Sequence, residues 1–170
     1  MSVLVAQKRG FLFAVIGEQF VKEAAISAKS IKEQMPDASI TLITDKSVNE
    51  PIFDRVIIES LRAEGHKGIK LYKPHALTMS PYDYTVFLDS DTYICKPCIE
   101  LFRMPDHVDL ALVHDTADTS TPKIDGEELH SFYPYNSGVI SYKKLDRVHS
   151  FLKDWYEILD REYDEHPWDQ

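Results

Sequence analysis

Apolar residues along this chain follow two rhythms: short unbroken runs, and stretches where they recur every three or four positions. Residues 11–16 (FLFAVI) are apolar throughout, as in a strand buried on both faces. Gly17 ends the run. Phe20, Ala24, Ala28, Ile31 and Met35 then follow at steps of four, four, three and four, which traces one face of a helix. Lys22, Glu23, Lys29 and Lys32 occupy its other side, and Pro36-Asp37 stops it. Residues 39–44 (SITLIT) and 54–59 (DRVIIE) read as a second and a third strand, separated by the polar stretch 45–51. A strand–helix–strand order whose connections are too long for hairpins predicts parallel pairing and a layered α/β fold.

The second half continues the alternation. After a glycine break at 65–68, residues 69–79 predict a helix, with Pro74 either kinking it or lying in its first turn. Residues 84–88 (YTVFL) predict a buried central strand, and 109–114 (DLALVH) another buried strand. The stretch 115–132 is long, polar and aperiodic, the signature of a binding loop. Residues 136–142 (NSGVISY) predict a strand entered through a tight Asn-Ser-Gly turn. Val148, Leu152, Trp155 and Leu159 mark a last helix, with Asp146 near its cap.

The chemistry concentrates where the central strand ends, in Asp89-Ser90-Asp91. In an extended segment residues i and i+2 share a face about 7 Å apart, so the two carboxylates are candidates to hold one hard cation. Asp also favours turns and helix caps, and that reading stays open on the residues alone. Position favours the first reading, because open α/β sheets bind ligands outside the carboxyl ends of their strands.

Composition narrows the classes. The 170 residues suffice for a single domain with a full core, and 44% hydrophobic with 28% charged residues is ordinary for a globular protein. A formal net charge of −9 argues against binding nucleic acid or anionic membranes without sequence specificity. A phosphorylated ligand would need local help from a metal, a lysine or backbone N–H groups. No apolar stretch is long enough to span a membrane. The opening MSVLVAQKRG lacks the core of a signal peptide, so a cytoplasmic location is expected. Two cysteines are too few for a disulfide framework. Cys95-Lys96-Pro97-Cys98 ahead of an apolar helix start (Ile99, Leu101 and Phe102) admits a thioredoxin-like redox site, as well as simple turn positions.

Several pieces together resemble the glycosyltransferases of the glycogenin type, nucleotide-sugar enzymes with a single Rossmann-like GT-A domain. The pieces are the opening FLFAVIGEQFVKEAAISAKSIK, the triplet Lys73-Pro74-His75, the acidic strand VFLDSDT, the segment IELF, residues 136–139 (NSGV) and the pair Asp169-Gln170. They run in the family's order from about residue 11 to the end of the sequence. The resemblance implies one GT-A domain over residues 1–170, a mostly parallel central sheet flanked by helices. It implies transfer of a sugar from a nucleotide-diphosphate sugar, a UDP-sugar by family habit, to a carbohydrate or other hydroxyl acceptor, with retention of configuration.

The same resemblance implies roles. Asp89 and Asp91 match acids that hold Mn²⁺ or Mg²⁺, with Asp89 also near the donor. Lys73 matches a lysine that contacts the donor. Asn136, Ser137 and Gly138 match positions around the donor sugar, and Asp169 and Gln170 match catalytic positions beside the transferred sugar. Phe20 falls where relatives stack an aromatic on the base, although it also fits the apolar face of its helix. Lys73 also reads as a solvated helix charge, and Asn136 as turn chemistry. His75 and His114 read as packing or surface residues.

Two departures bear on these roles. Relatives often take a third metal ligand, a histidine, from a segment after the Asp-Gln pair, so another group or a longer chain is expected to complete the site. Relatives also often carry an acidic or Asn-rich stretch after strand one, where this chain has Gly17-Glu18-Gln19. Two further classes stay open. A nucleotidyltransferase would usually carry a Gly- and Lys-rich loop near the N-terminus, and Ile16-Gly17-Glu18-Gln19 is not one. The other is a non-catalytic domain that binds nucleotide sugars.

Overall fold

The structure, a computed structural model, describes residues 7–59, 65–115, 123–124, 127–128 and 135–163. In chain order the elements are β1 (Arg9–Val15), α1 (Glu18–Gln34), β2 (Ile40–Thr44), β3 (Arg55–Ile58), α2 (Gly65–Leu77), β4 (Tyr84–Leu88), β5 (Leu110–His114), β6 (Lys123–Ile124), β7 (Glu127–Glu128), β8 (Tyr135–Lys143) and α3 (Asp146–Glu162). Six strands form one sheet in the order β3-β2-β1-β4-β8-β5, while β6 and β7 pair with each other. β1 runs parallel to both β2 and β4, and β2 parallel to β3. β8 alone runs against its neighbours β4 and β5. The expected mixed α/β layering, with a mostly parallel sheet, is what the chain forms.

The unbroken apolar runs have a direct cause, since the central strands are covered on both faces. Phe11, Phe13 and Val15 of β1 and Tyr84, Val86 and Leu88 of β4 pack with Val21, Ala24, Ala28 and Ile31 of α1. Their neighbours Leu12 and Phe87 turn the other way, toward Tyr72, Ala76 and Leu77 of α2 and Val148 and Leu152 of α3. Side chains alternate along a strand, so each face needs its own apolar set. Each such side chain contributes about 1.5–3 kcal/mol on burial. Tyr142 of β8 donates its hydroxyl to the Leu77 carbonyl at 2.7 Å, fixing the sheet to the end of α2.

Four local expectations are corrected. β5 is not buried. Among the described residues it is an edge strand paired with β8 alone, its first three residues are half-buried, and Val113 and His114 are exposed. An apolar run alone cannot separate a central strand from an edge strand. The Asn-Ser-Gly stretch is not a turn before β8 but part of it, where the β5 pairing jumps from Leu112↔Ile140 to Val113↔Asn136. A bulge therefore absorbs the residues whose chemistry looked like a turn. α2 begins at Gly65 rather than 69 and holds Pro74 inside its last turn, because packing outweighs the weak helix propensity of its glycines. After Cys98 the chain makes two short 3-10 turns, Ile99–Phe102 and Met104–Asp106, instead of a helix.

Candidate functional site

The sheet changes direction at β1, with β2 on one side and β4 on the other. This is the switch point at which open α/β sheets leave a crevice beyond their carboxyl ends. The chain leaves β1 through Gly17, whose φ of 95° lies in the region L-residues rarely adopt. The Gly17 N–H donates to Oδ1 of Asp45 at 3.1 Å, and Asp45 directly follows β2. The ends of two neighbouring strands are thereby held together.

A cleft of about 270 Å³ opens at this point. Its floor is the end of β1, Ala14 to Ile16. One wall is Phe20 and Glu23 of α1, and the opposite wall is Lys70, Tyr72 and Lys73 of α2. Asp89, Ser90 and Asp91 close it behind β4.

Those three residues are not extended. The β4 ladder stops at Leu88, and residues 89–92 form a turn in which the N–H and the hydroxyl of Thr92 both donate to the Asp89 carbonyl, at 3.2 and 2.8 Å. The turn is stitched to α1. The hydroxyls of Ser27 and Thr92 lie 2.9 Å apart, and the Ile94 N–H donates to Ser30 Oγ at 2.9 Å. Asp89 and Asp91 therefore do not share a face of an extended strand, as strand geometry predicts, yet both carboxylate residues still line one cleft. Asp89 keeps the facing of Phe87, toward α2, and Ser90 turns to α1, where its hydroxyl donates to Glu23 Oε2 at 3.3 Å.

Lys73 is the centre of the cluster. Its ammonium lies 3.0 Å from Asp89 Oδ1 and 3.3 Å from Oδ2, and it donates to Ser137 Oγ at 2.9 Å. It also stands over the Phe87 ring, 5.6 Å from the centroid. With its side chain only 14% exposed, it is no solvated helix charge. β8 completes the arrangement. The Asp89 N–H donates to the Gly138 carbonyl at 2.9 Å, and Asn136 Oδ1 accepts the Gly138 N–H at 2.8 Å. A Cβ at position 138 would come 2.9 Å from Asn136 Oδ1 and 3.2 Å from Asp89 Oδ2, so a glycine is what lets β8 approach the acid this closely.

The structure thus brings Lys73, Asp89, Asn136, Ser137 and Gly138 together and sets Asp91 and Phe20 on the same cleft. Phe20 is 40% exposed and is not part of the core. Val21, the next residue, takes the buried position on α1. Asp169 and Gln170 lie outside the described residues. His75 sits 3.4 Å from Glu59 and against the Tyr156 ring, and His114 stacks on Tyr135, so both are engaged in packing away from the cleft. Four residues escaped the sequence reading: Asp45, Glu23, Ser90 and Lys70. Glu23 one turn after Phe20, and Lys70 one turn before Lys73, were visible as helical spacings.

Asp89 and Asp91 offer hard oxygen donors on one side of the cleft, the donor type that suits Mn²⁺ or Mg²⁺ when phosphate oxygens and waters complete the shell. Among the described residues no group of three or more His, Cys, Asp or Glu side chains is placed to hold a metal ion. Cys95 is exposed, Cys98 is half-buried, and both are free thiols. Burial, with the Glu100 charge second, pushes the Cys98 thiol up from its ordinary value. A thiolate nucleophile at Cys98 itself needs the reverse.

No protein family matches the chain by sequence, and no curated protein does. Solved structures do match by fold. The glycosyltransferase GlyE of Streptococcus pneumoniae TIGR4 aligns with a TM-score of 0.69 at 15% identity, over 93% of this chain and 40% of its own. The galactosyltransferase LgtC, solved in complex with donor and acceptor sugar analogs, aligns with a TM-score of 0.54 at 14% identity, over 93% and 65%. A putative nucleotide-diphospho-sugar transferase from Desulfovibrio desulfuricans G20 aligns with a TM-score of 0.51 at 13% identity, over 89% and 68%. The chain spans two fifths of the length of GlyE. At these identities the likeness is one of fold, and the fold is the mixed α/β sheet of these transferases.

Proposed function

We propose that the cleft binds a nucleotide-diphosphate sugar and that the chain carries the donor site of a glycosyltransferase. The observation that carries this is the convergence of Asp89 and Ser137 on the Lys73 ammonium, at 3.0 and 2.9 Å, at the sheet's switch point, on a cleft that Asp91 also lines. Transfer breaks the bond between the sugar and the diphosphate, and the bonding electrons leave on a phosphate oxygen. Lys73 is a fixed positive charge beside that oxygen. Asp89 and Asp91 would hold a Mn²⁺ or Mg²⁺ ion, which would supply Lewis-acid neutralisation of the departing diphosphate. An acidic chain needs such local cations to receive an anionic donor. Phe20 is the candidate to stack on the base, and Asn136 and Gly138 lie where the sugar enters. UDP as carrier, a hydroxyl acceptor and retention of configuration are parts of this proposal.

Thermal melting tests it. Mn²⁺ with one of UDP, GDP, ADP or dTDP raises the melting temperature, and the Asp89→Asn/Asp91→Asn variant abolishes the rise. Ligand at 100 times its dissociation constant stabilises by about 2.7 kcal/mol. No shift with any of the four, with or without metal, overturns the donor-site reading.

A further inference from the structure

Phe20 and Glu23 line the same wall of the cleft, three residues apart on α1 and so about one helical turn from each other. Phe20 is the candidate platform for the base. Ser90, which lies between Asp89 and Asp91 in the chain, donates its hydroxyl to Glu23 Oε2 at 3.3 Å. Glu23 therefore stands between the aromatic ring and the acidic turn. A nucleoside diphosphate carries its parts in the same order: base, pentose, diphosphate. With the base on Phe20 and the diphosphate beside Lys73 and the acidic turn, the pentose comes to Glu23.

The chemistry of Glu23 suits that group. Its carboxylate is half-buried and accepts from two neutral donors, Gln19 Nε2 at 3.2 Å and the Ser90 hydroxyl. A carboxylate offers about four acceptor positions, so the side chain is held in place and still has lone pairs for a ligand. Among the described residues no three acids, cysteines or histidines gather to hold a metal ion, which leaves Glu23 outside the pair Asp89 and Asp91. A carboxylate repels phosphate but takes charge-assisted hydrogen bonds from neutral hydroxyls. We propose that Glu23 accepts hydrogen bonds from the ribose hydroxyls and makes the cleft selective for ribonucleotides over deoxyribonucleotides. A deoxy ligand displaces water from the carboxylate and returns no donor to it. This deepens the nucleotide-diphosphate reading of the same cleft and rests on it.

The experiment measures binding to the whole chain by calorimetry in Mn²⁺ buffer. The ligands are the diphosphates of uridine, guanosine, adenosine and 5-methyluridine, each beside its 2′-deoxy and 3′-deoxy forms. The proteins are the wild type and Glu23→Gln, which keeps an acceptor for Ser90 and removes the charge. For the base that binds the wild type best, at least one deoxy form binds about tenfold more weakly than the ribose form. In Glu23→Gln that ratio falls to about threefold or less, chiefly because the ribose form binds more weakly. The ratio is taken within one protein, so a general loss of stability cancels from it. If the wild type binds both deoxy forms as tightly as the ribose form, the inference is overturned while the donor-site reading stands. The same holds if Glu23→Gln keeps the wild-type ratio, including the case in which it changes only the order of the bases, which would place Glu23 on the base edge. If no diphosphate binds the wild type, the donor-site reading falls and takes this inference with it.

Discussion

Lys73 on α2 and Asp89 behind β4 form an ion pair at the cleft, with the ammonium 3.0 Å from one carboxylate oxygen and 3.3 Å from the other. Lys73 is mostly buried and Asp89 about a third exposed, so the pair ranks between a surface bridge and a desolvated one. A double-mutant cycle with Lys73→Met and Asp89→Asn, measured by urea unfolding in metal-free buffer, is expected to give a coupling of about 1 kcal/mol. Saturating Mn²⁺ reduces that coupling, because the metal competes with the ammonium for the same oxygens. A coupling indistinguishable from zero without metal contradicts the observed geometry.

Gly138→Ala separates folding from binding. The added methyl meets two side-chain oxygens, those of Asn136 and Asp89, and both side chains can swing aside. The fold loses about 1 kcal/mol, while Asp89 is turned from its place beside Lys73. The melting temperature of the free protein should fall by a few degrees, and the rise produced by Mn²⁺ with nucleotide should be largely lost. A variant that keeps the full ligand-induced rise shows that the close approach of β8 does not position Asp89.

The sheet and the acidic turn were legible for different reasons. Residues 84–88 have β-branched and aromatic side chains on both faces, and β4 spans Tyr84–Leu88 as expected. The parallel order of β1 to β4 followed from connection lengths. Other features depend on contacts distant in sequence. Whether Phe20 or Val21 faces the sheet is set by where α1 docks, one residue of helix rotation that periodicity leaves open. β5 reads like a central strand because its composition does not record how many strands lie beyond it. The bulge in β8 lies where Gly138 meets Asp89, a contact that no local pattern records. Lys73 was legible through its triplet, but its anchor on Ser137 joins residues 64 positions apart. Lys70 and Glu23 gained meaning only once α1 and α2 were seen to face each other across a cleft.

Cys98 gives a kinetic prediction. Its thiol is pushed up by burial and by the charge of Glu100, so little thiolate exists at neutral pH. Alkylation by iodoacetamide at pH 7.5 (a rate that follows the thiolate fraction) is expected to be markedly slower at Cys98 than at the exposed Cys95. Mass spectrometry of the two peptides over time measures both rates. Faster reaction at Cys98 would show that burial and Glu100 do not hold the proton on its thiol.

Three of the buried tyrosines, Tyr72, Tyr82 and Tyr142, make the fold sensitive to alkali. The hydroxyl of Tyr72 donates to the Glu59 carbonyl at 3.0 Å, that of Tyr142 to Leu77, and that of Tyr82 lies 2.8 Å from Thr41 Oγ1. Burial pushes all three phenols upward. The folded state therefore keeps protons that the unfolded chain releases above about pH 10. Their stabilising effect is complete below that pH and declines as pH rises from there toward the folded-state values. The loss per group steepens above that pH toward a limit of about 1.4 kcal/mol per pH unit. Urea unfolding at pH 9, 10 and 10.8 measures the slope. Tyr142→Phe makes it shallower, and at pH 8 costs about 1 kcal/mol because the Leu77 carbonyl loses its donor. A stability that does not change from pH 9 to 10.8 would falsify this account.

Asp91 and Asp89 differ in what they do for the free protein, and the difference tests the metal assignment. Asp89 is the acid tied into the structure, through Lys73 and through its main-chain bonds to Gly138 and Thr92. Asp91 is exposed at the cleft rim. Asp91→Asn is therefore expected to leave unfolding free energy within about 0.5 kcal/mol of wild type, whereas Asp89→Asn leaves a mostly buried ammonium without its carboxylate and lowers it measurably. Toward Mn²⁺ the two should behave alike, because a hard cation loses a charged oxygen donor in either case. Manganese titration followed by electron paramagnetic resonance, in the presence of a nucleoside diphosphate that binds, reads the affinity directly. Weakened Mn²⁺ binding in both variants, with stability lost only in Asp89→Asn, is the pattern that a shared metal site produces. Unchanged affinity in Asp91→Asn would mean that the turn holds its exposed acid for some purpose other than the metal.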